Sequence, residues 1–307
     1  MNSTYTYADC LQNSYKVNWR IGDVVDGRRF DLTRPWLPAR LSGVSRLPRL
    51  SPAERIKLTH VEMGAYAHLF GFVEEYIAPK MLELARDFEI EQREAFDALT
   101  NFAAEEVKHM NLFREVRARV DEALGFRLTL LAGAPDVARA VLGKHTGAVL
   151  LLTTAIEWMT QLHWVGCFQD DGALDPFTKH IFRSHWQEES QHARMDHLET
   201  LRAFARMGAG EGDQAIADLI ELVGAVDGLL QTQARLDVEN FQHHVGRRLT
   251  AGEEAEIGAA VLAAKRYTFI ESGVTHPNFV KLFGMVTTSP QQAKVNQALG
   301  PVLAAAA

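Results

Sequence analysis

Two copies of one short pattern constrain this chain more than anything else in it: Glu106-Val-Lys-His109 within EEVKHMNLF, and Glu189-Ser-Gln-His192 within QEESQHARMDH. Each sets a carboxylate and an imidazole three residues apart in a strongly helical stretch. Positions i and i+3 project from one face of an α-helix, so each pattern offers two ligands to one ion. Two such helices facing each other make a dinuclear metal site, which requires a helical bundle around it. Carboxylate oxygen with imidazole nitrogen, without thiolate, suits iron or manganese better than structural zinc. A single Glu-x-x-His is weak evidence, because glutamate and histidine commonly share a solvated face. Two copies, each flanked by apolar residues, are much stronger.

The four-helix di-metal arrangement asks for one further glutamate from each of two other helices. Glu157 is the only Asp, Glu, Lys or Arg in residues 147–168, GAVLLLTTAIEWMTQLHWVGCF. A lone buried carboxylate is costly unless a cation compensates it. The run is long enough to cross a bilayer, but the charge at its centre and a mean hydropathy of -0.12 for the chain favour a buried core helix carrying one ligand. The fourth carboxylate must come from GFVEEYIAP, which offers Glu74 and Glu75. At about 100° per residue, Leu58, Val61, Ala65, Leu69, Phe72 and Tyr76 form one stripe. Glu75 lies at its edge and Glu74 nearly opposite, so Glu75 is the expected ligand. The same phase groups Leu99, Phe102, Glu106, Met110 and Phe113 on the second helix with His109 at the edge, and points Glu105 toward solvent.

His185, four residues before Glu189, shares a stripe with Glu189 and His192, with Phe182 above and Asp196 below. Spacing alone leaves His185 as either a further ligand or a packed histidine. Asp196 is expected to fix a ligand ring from behind, with a surface charge as the alternative.

The 307 residues, 47% of them hydrophobic, suffice for one large helical domain. Because the ligands run from Glu75 to His192, that domain cannot be divided without dividing the site. It is expected over residues 51–290, preceded by an extended arm (1–50) containing Pro35, Pro38 and Pro48 and followed by a tail (291–307). Ser51-Pro52-Ala53-Glu54 reads as a capping box that starts the first long helix. Further helices are expected near 89–123, 136–142, 146–169, from Asp175-Pro176 onward, 212–246 and 251–272. His243 and His244, adjacent in sequence, diverge around their helix and are read as packed or solvated. No strand periodicity, phosphate-binding loop or nucleophile elbow appears.

A formal charge of -7 and the lack of a Lys/Arg block argue against nucleic acid or an anionic membrane as partner. Arg28, Arg29, Arg34 and Arg40 are diluted by Asp31 and prolines. Cys10 and Cys167 are too few for a disulfide framework, and no signal peptide is evident, so the cytoplasm is the expected location.

Four glutamates carry a charge of about minus four, which balances two divalent ions in a buried bundle. Two ferrous ions at the ~3.5–4 Å of dinuclear sites can give two electrons to dioxygen and hold a bridging peroxide. Trp158, Trp164, Phe102 and Phe182 would exclude water, and Gly64 and Gly71 on the first helix would leave room for a substrate.

On these residues the chain resembles the ferritin-like di-iron oxygenases, and within them it is similar to the p-aminobenzoate N-oxygenase family. The specific likeness is His-x-x-x-Glu-x-x-His on the fourth helix, here His185-Trp-Gln-Glu-Glu189-Ser-Gln-His192. It covers roughly residues 30–285, including FDLTRPWLPARL and THPNF. The resemblance implies an all-α, ferritin-like bundle with additional C-terminal helices. Its iron ligands are Glu75, Glu106, His109, Glu157, His185, Glu189 and His192. It further implies a peroxo di-iron oxidant that converts an amine, such as an aromatic one, to hydroxylamine or nitro product, electrons from an external reductase, and a homodimer. Arg266, Tyr267 and Asn278 are guesses at an anchor for a substrate carboxylate, outside any motif. The alternatives are another di-iron oxidation (C–H hydroxylation, desaturation, aldehyde deformylation) or a non-enzymatic iron protein.

Overall fold

A computed structural model describes residues 5–88 and 92–306. It contains α1 (Tyr7–Val17), α2 (Ile21–Val25), α3 (Ala39–Ser42), α4 (Pro52–Ala85), α5 (Arg93–Leu124), α6 (Ala134–Leu142), α7 (Thr146–His163), α8 (Pro176–Ala205), α9 (Glu211–Val245), α10 (Ala251–Arg266), α11 (Ser272–Val274), α12 (Pro277–Val286) and α13 (Ser289–Ala304). A π turn, Trp164–Phe168, extends α7, and a second, Tyr267–Glu271, joins α10 to α11. No strand occurs among the described residues. No helix among them is long and apolar enough to cross a membrane.

The core is two helical hairpins, α4 with α5 and α7 with α8, joined by a crossover that contains α6. The helix starts follow from local chemistry. Ser51 accepts from the Glu54 amide while Glu54 accepts from the Ser51 amide, and Pro52 supplies a first residue with no amide to satisfy. Asp175 caps α8 through the Thr178 amide and also accepts from the Asp31 amide, which ties the N-terminal segment to the start of that helix. Gly125, with φ of 74°, ends α5 in the left-handed conformation that glycine adopts without strain. Residues 89–91, where the second helix was expected to begin, lie outside the described residues.

The N-terminal segment is not an extended arm. It carries α1, α2 and α3, and α1 has its own capping box, Thr6 with Asp9. Helices this short are marginal alone and form through tertiary packing, which the 11 residues of α1 cannot show by themselves. Here α1 lies across α5 and α8. Likewise the expected tail is helical, as α13 starts at the Thr288 cap and packs on α9.

Outside the hairpins, α9 packs on α4 and α7, and α10 pairs with α9. One buried ionic cluster fixes their register: Lys265 Nζ lies 2.8 Å from Glu62 Oε2 and 2.7 Å from Asp237 Oδ2, all three side chains being at most 3% exposed. Gln233 donates to Asp237 and accepts from the Leu131 amide, extending the network to the crossover. Burial pushes Glu62 up to about 8 against the pull of Lys265. Lys265→Met would leave two carboxylates buried without a cation, so it should cost ~3–5 kcal/mol, read as a lower urea midpoint.

Candidate metal centre

Four helices converge on one cluster. α4 brings Glu74, α5 brings Glu106 and His109, α7 brings Glu157, and α8 brings His185, Glu189 and His192. All seven are at most 3% exposed. Donor atoms of Glu74, His109, His185 and Glu189 lie within 4.8 Å of one another, as do those of Glu106, His109, Glu189 and His192. Glu189 stands between the two groups. Its Oε1 is 2.8 Å from His109 Nδ1 and 2.7 Å from His185 Nε2, and its Oε2 is 3.1 Å from His192 Nδ1.

The first-helix carboxylate in this cluster is Glu74, not Glu75. Glu74 Oε1 lies 3.3 Å from His185 Nε2, whereas Glu75 is half-buried on the other side, lining a groove with His68, Arg114 and Arg117. The phase argument failed because α4 is buried on nearly every side, against α5, α6 and α9. Its apolar stripe through Leu58 and Phe72 faces other partners. A second stripe, Met63, Ala67, Phe70, Glu74, Ile77 and Met81, is equally buried and carries the carboxylate.

The chemistry of the donors fits metal. Glu74 Oε2, both Glu106 oxygens, Glu157 Oε2 and His109 Nδ1 are buried and make no hydrogen bond. Buried polar atoms rarely stay unpartnered. His109 Nδ1 and Glu106 Oε1 each lie 2.8 Å from an opposite ligand atom, Glu189 Oε1 and His192 Nδ1, yet neither contact has hydrogen-bond geometry. Such atoms are directed at shared space rather than at each other, as ligands of a common ion are. Burial drives Glu74, Glu106 and Glu157 above the usual carboxylate range, and neighbouring carboxylates add to the shift. Burial also pushes Glu189 up, but His185 and His192 outweigh it and hold Glu189 well below. Reciprocally, His109 and His192 sit well above the ordinary imidazole value despite burial, mainly because of Glu189. His185 falls below it, because burial wins there.

The outer nitrogens of two rings are held by carboxylates, one of which, Glu105, the periodicity pointed toward solvent. His109 Nε2 lies 2.8 Å from Glu188 Oε2, and His192 Nε2 lies 2.9 Å from Glu105 Oε2. Each outer glutamate reaches from one Glu-x-x-His helix to the histidine of the other. Glu105 is therefore buried, not solvated. It also accepts from Ser14 of α1, and Glu188 is paired with Lys108. Both motifs read Glu-Glu-x-x-His, and that doubled first glutamate was the available signal. Asp196 does not take this role. Its two oxygens are buried without a partner, and burial raises its pKa well above the usual range.

A protein-family model for "P-aminobenzoate N-oxygenase AurF" matches residues 13–213, more than half of the chain. The chain belongs to the AurF family. The AurF match begins earlier than residue 30 and ends before THPNF, so it takes in the end of α1 and every residue of the cluster. It makes the chain a member of a family of oxidoreductases. Among solved structures, an R2-like ligand-binding oxidase variant with an aerobically reconstituted Mn/Fe cofactor aligns over 100% of this chain and 96% of that one, with 11% identity and a TM-score of 0.38. Another variant, with an aerobically reconstituted Fe/Fe cofactor, aligns over 100% and 95%, with 10% identity and a TM-score of 0.38. Among curated proteins none matches.

Within this AurF-family member, aromatic rings wall the cluster. Phe102 stacks on His192 with centroids 3.8 Å apart, Trp19 stacks on His109 at 5.8 Å, and Phe70 and Phe113 meet His185 edge-on. The expected roles of Gly64 and Arg266 do not hold. A Cβ at Gly64 would lie 2.2 Å from Leu128, so its space is filled, and Arg266 is committed to Asp227 through two hydrogen bonds. Glu105→Gln and Glu188→Gln keep the shape of the outer carboxylates but remove the charge that orients each ring. Each should weaken metal binding by ~10–100-fold, measured by titration against a competing chelator.

Proposed function

We propose that this protein is a non-haem di-metal oxygenase, with two iron ions or a manganese and iron pair, that uses dioxygen to oxidise the nitrogen of an amine. The observation that carries the reading is the set of seven buried carboxylate and imidazole side chains, including His185, in a chain whose family is described as a p-aminobenzoate N-oxygenase. The proposed ligands are Glu74, Glu106, His109, Glu157, His185, Glu189 and His192. When bound, two ferrous ions would supply two electrons for the reduction of dioxygen.

The chain's own residues do the rest. Four carboxylates offset the charge of two divalent ions, which makes the buried site tolerable. Glu105 and Glu188 hold the His192 and His109 rings with Nδ1 inward. Phe102, Phe70, Phe113 and Trp19 exclude water from the ligands and protect the oxidant. Burial holds the Asp196 carboxyl well above its usual range, which favours the protonated form beside the cluster. An external reductase restores the electrons between turnovers, as no nucleotide-binding fingerprint occurs in the chain.

The test is a single turnover: iron-loaded, chemically reduced protein mixed with oxygen and a panel of aryl and alkyl amines, with products read by mass. Hydroxylamine, nitroso or nitro products that vanish in Glu106→Ala are expected. Iron that oxidises while every amine stays unchanged would redirect the assignment to another di-metal oxidation or to iron handling.

A further inference from the structure

Beside the cluster lies a second buried polar array that the chemistry above does not use. Tyr66 on α4, His163 at the end of α7 and Ser272 at the start of α11 are at most 3% exposed and bonded in series. The Tyr66 hydroxyl is 2.7 Å from His163 Nδ1, and His163 Nε2 is 3.0 Å from Ser272 Oγ. The direction of the chain is fixed at its far end. Ser272 Oγ donates to the Thr268 carbonyl at 2.8 Å, so it accepts from His163 Nε2–H, which leaves Nδ1 as the unprotonated acceptor of the Tyr66 hydroxyl proton.

The local backbone is arranged around this array. His163 immediately precedes one π turn and Ser272 immediately follows the other, and such turns concentrate at functional sites. The two elements meet because residue 273 is glycine, as a Cβ there would stand 2.3 Å from the Ala155 carbonyl oxygen. Burial and the nearby Arg40 push His163 down to about 3, so the ring is neutral at rest.

Tyr66 is also linked to the metal cluster through aromatic rings. Its centroid is 4.8 Å from Phe70, and Phe70 is 5.3 Å from His185. A parallel route runs through Phe182, at 5.1 Å from Tyr66, then Phe113, at 6.1 Å from Phe182 and 4.9 Å from His185. One ring therefore separates the phenol from a proposed ligand.

We propose that Tyr66, paired with His163, is a donor of one electron to the oxidised metal centre when no amine is bound. The inference rests on the di-metal reading above. In the step, Tyr66 loses one electron, which reduces one oxidised iron ion by one unit, and its hydroxyl proton crosses the existing hydrogen bond to His163 Nδ1. The products are a neutral tyrosyl radical and an imidazolium that still donates to Ser272. No other atom moves, and the return of one electron and the same proton restores the pair.

Competing rings are less suited. Trp19 stacks directly on His109, but the Lys108 ammonium sits 4.3 Å above its ring and its indole N–H is committed to a backbone carbonyl that cannot take a proton. The Tyr76 hydroxyl makes no hydrogen bond. Tyr7 does pair with Glu199, but its ring packs on Phe88 at the periphery.

The experiment freezes iron-loaded, reduced protein at intervals after mixing with oxygen in the absence of amine, and reads organic radical by electron paramagnetic resonance and iron oxidation state by Mössbauer spectroscopy in the same samples. A tyrosyl signal is expected in the wild type and its loss in Tyr66→Phe, which keeps the ring packing and removes only the hydroxyl. His163→Gln should lower the radical yield with iron loading unchanged, and heavy water should slow radical formation. Ferric iron with no radical, or a radical that survives Tyr66→Phe, overturns the inference alone. Iron that stays ferrous under oxygen overturns the di-metal reading and the inference with it.

Discussion

Glu189→Ala should abolish loading of both metal ions. Among the described residues, Glu189 is the only side chain whose two oxygens reach all three imidazole rings of the cluster, at 2.7 Å from His185, 2.8 Å from His109 and 3.1 Å from His192. Its donor atoms belong to both candidate ion positions. Loss of a terminal ligand removes one bond from one ion, whereas loss of Glu189 removes the carboxylate shared by both positions and the charge that holds three imidazoles inward. The measurement is iron stoichiometry after anaerobic reconstitution, followed by thermal unfolding with and without metal. An ion at 100 times its Kd stabilises the folded state by ~2.7 kcal/mol per site, so the wild type should melt several degrees higher when loaded. The variant should melt at one temperature in both conditions. Because neighbouring carboxylates raise His109 and His192 well above the ordinary imidazole value, protons compete with metal for these rings, and wild-type loading should tighten as pH rises. A Glu189→Ala protein that takes up two ions at wild-type affinity would refute this assembly of the site.

The parts legible in the sequence were those written as repeated local patterns. Glu106 with His109 and Glu189 with His192 needed only i, i+3 spacing, and Glu157 was marked by its solitude in an apolar run. Signals at Ser51 and Asp175 located helix starts because the capping bonds they make are local. What was not legible depended on partners distant in sequence. Glu105 reads as a surface residue until α1 lies over it and His192 stands opposite, and 91 residues separate it from Ser14. The helical character of residues 7–17 comes from the same docking. Asp196 was placed on the correct stripe but one turn too far along α8 to meet His192, whose outer nitrogen is already taken by Glu105. Helical phase identifies a buried face only where one face is buried, and a helix enclosed by several neighbours defeats it.

Glu74→Ala and Glu75→Ala, adjacent substitutions of identical chemistry, should therefore behave oppositely. Glu74 is 3% exposed, with one oxygen 3.3 Å from His185 Nε2 and the other unpartnered, and burial holds its pKa well above the usual range. Such a group destabilises the metal-free bundle and becomes favourable only when a cation faces it. Its removal should cost the ion on the His185 side, so that reconstituted protein holds about one ion in place of two. The metal-free form should melt no lower than the wild type, because the lost charge was unfavourable there. Glu75 turns the other way on α4, toward the groove lined by Arg114 and Arg117, so Glu75→Ala should change stability by no more than ~0.5 kcal/mol. Its iron content should be unchanged. Metal analysis and paired thermal melts of the two variants check both expectations, and loss of an ion in Glu75→Ala with full loading of Glu74→Ala would restore the assignment that simple helical phase favours.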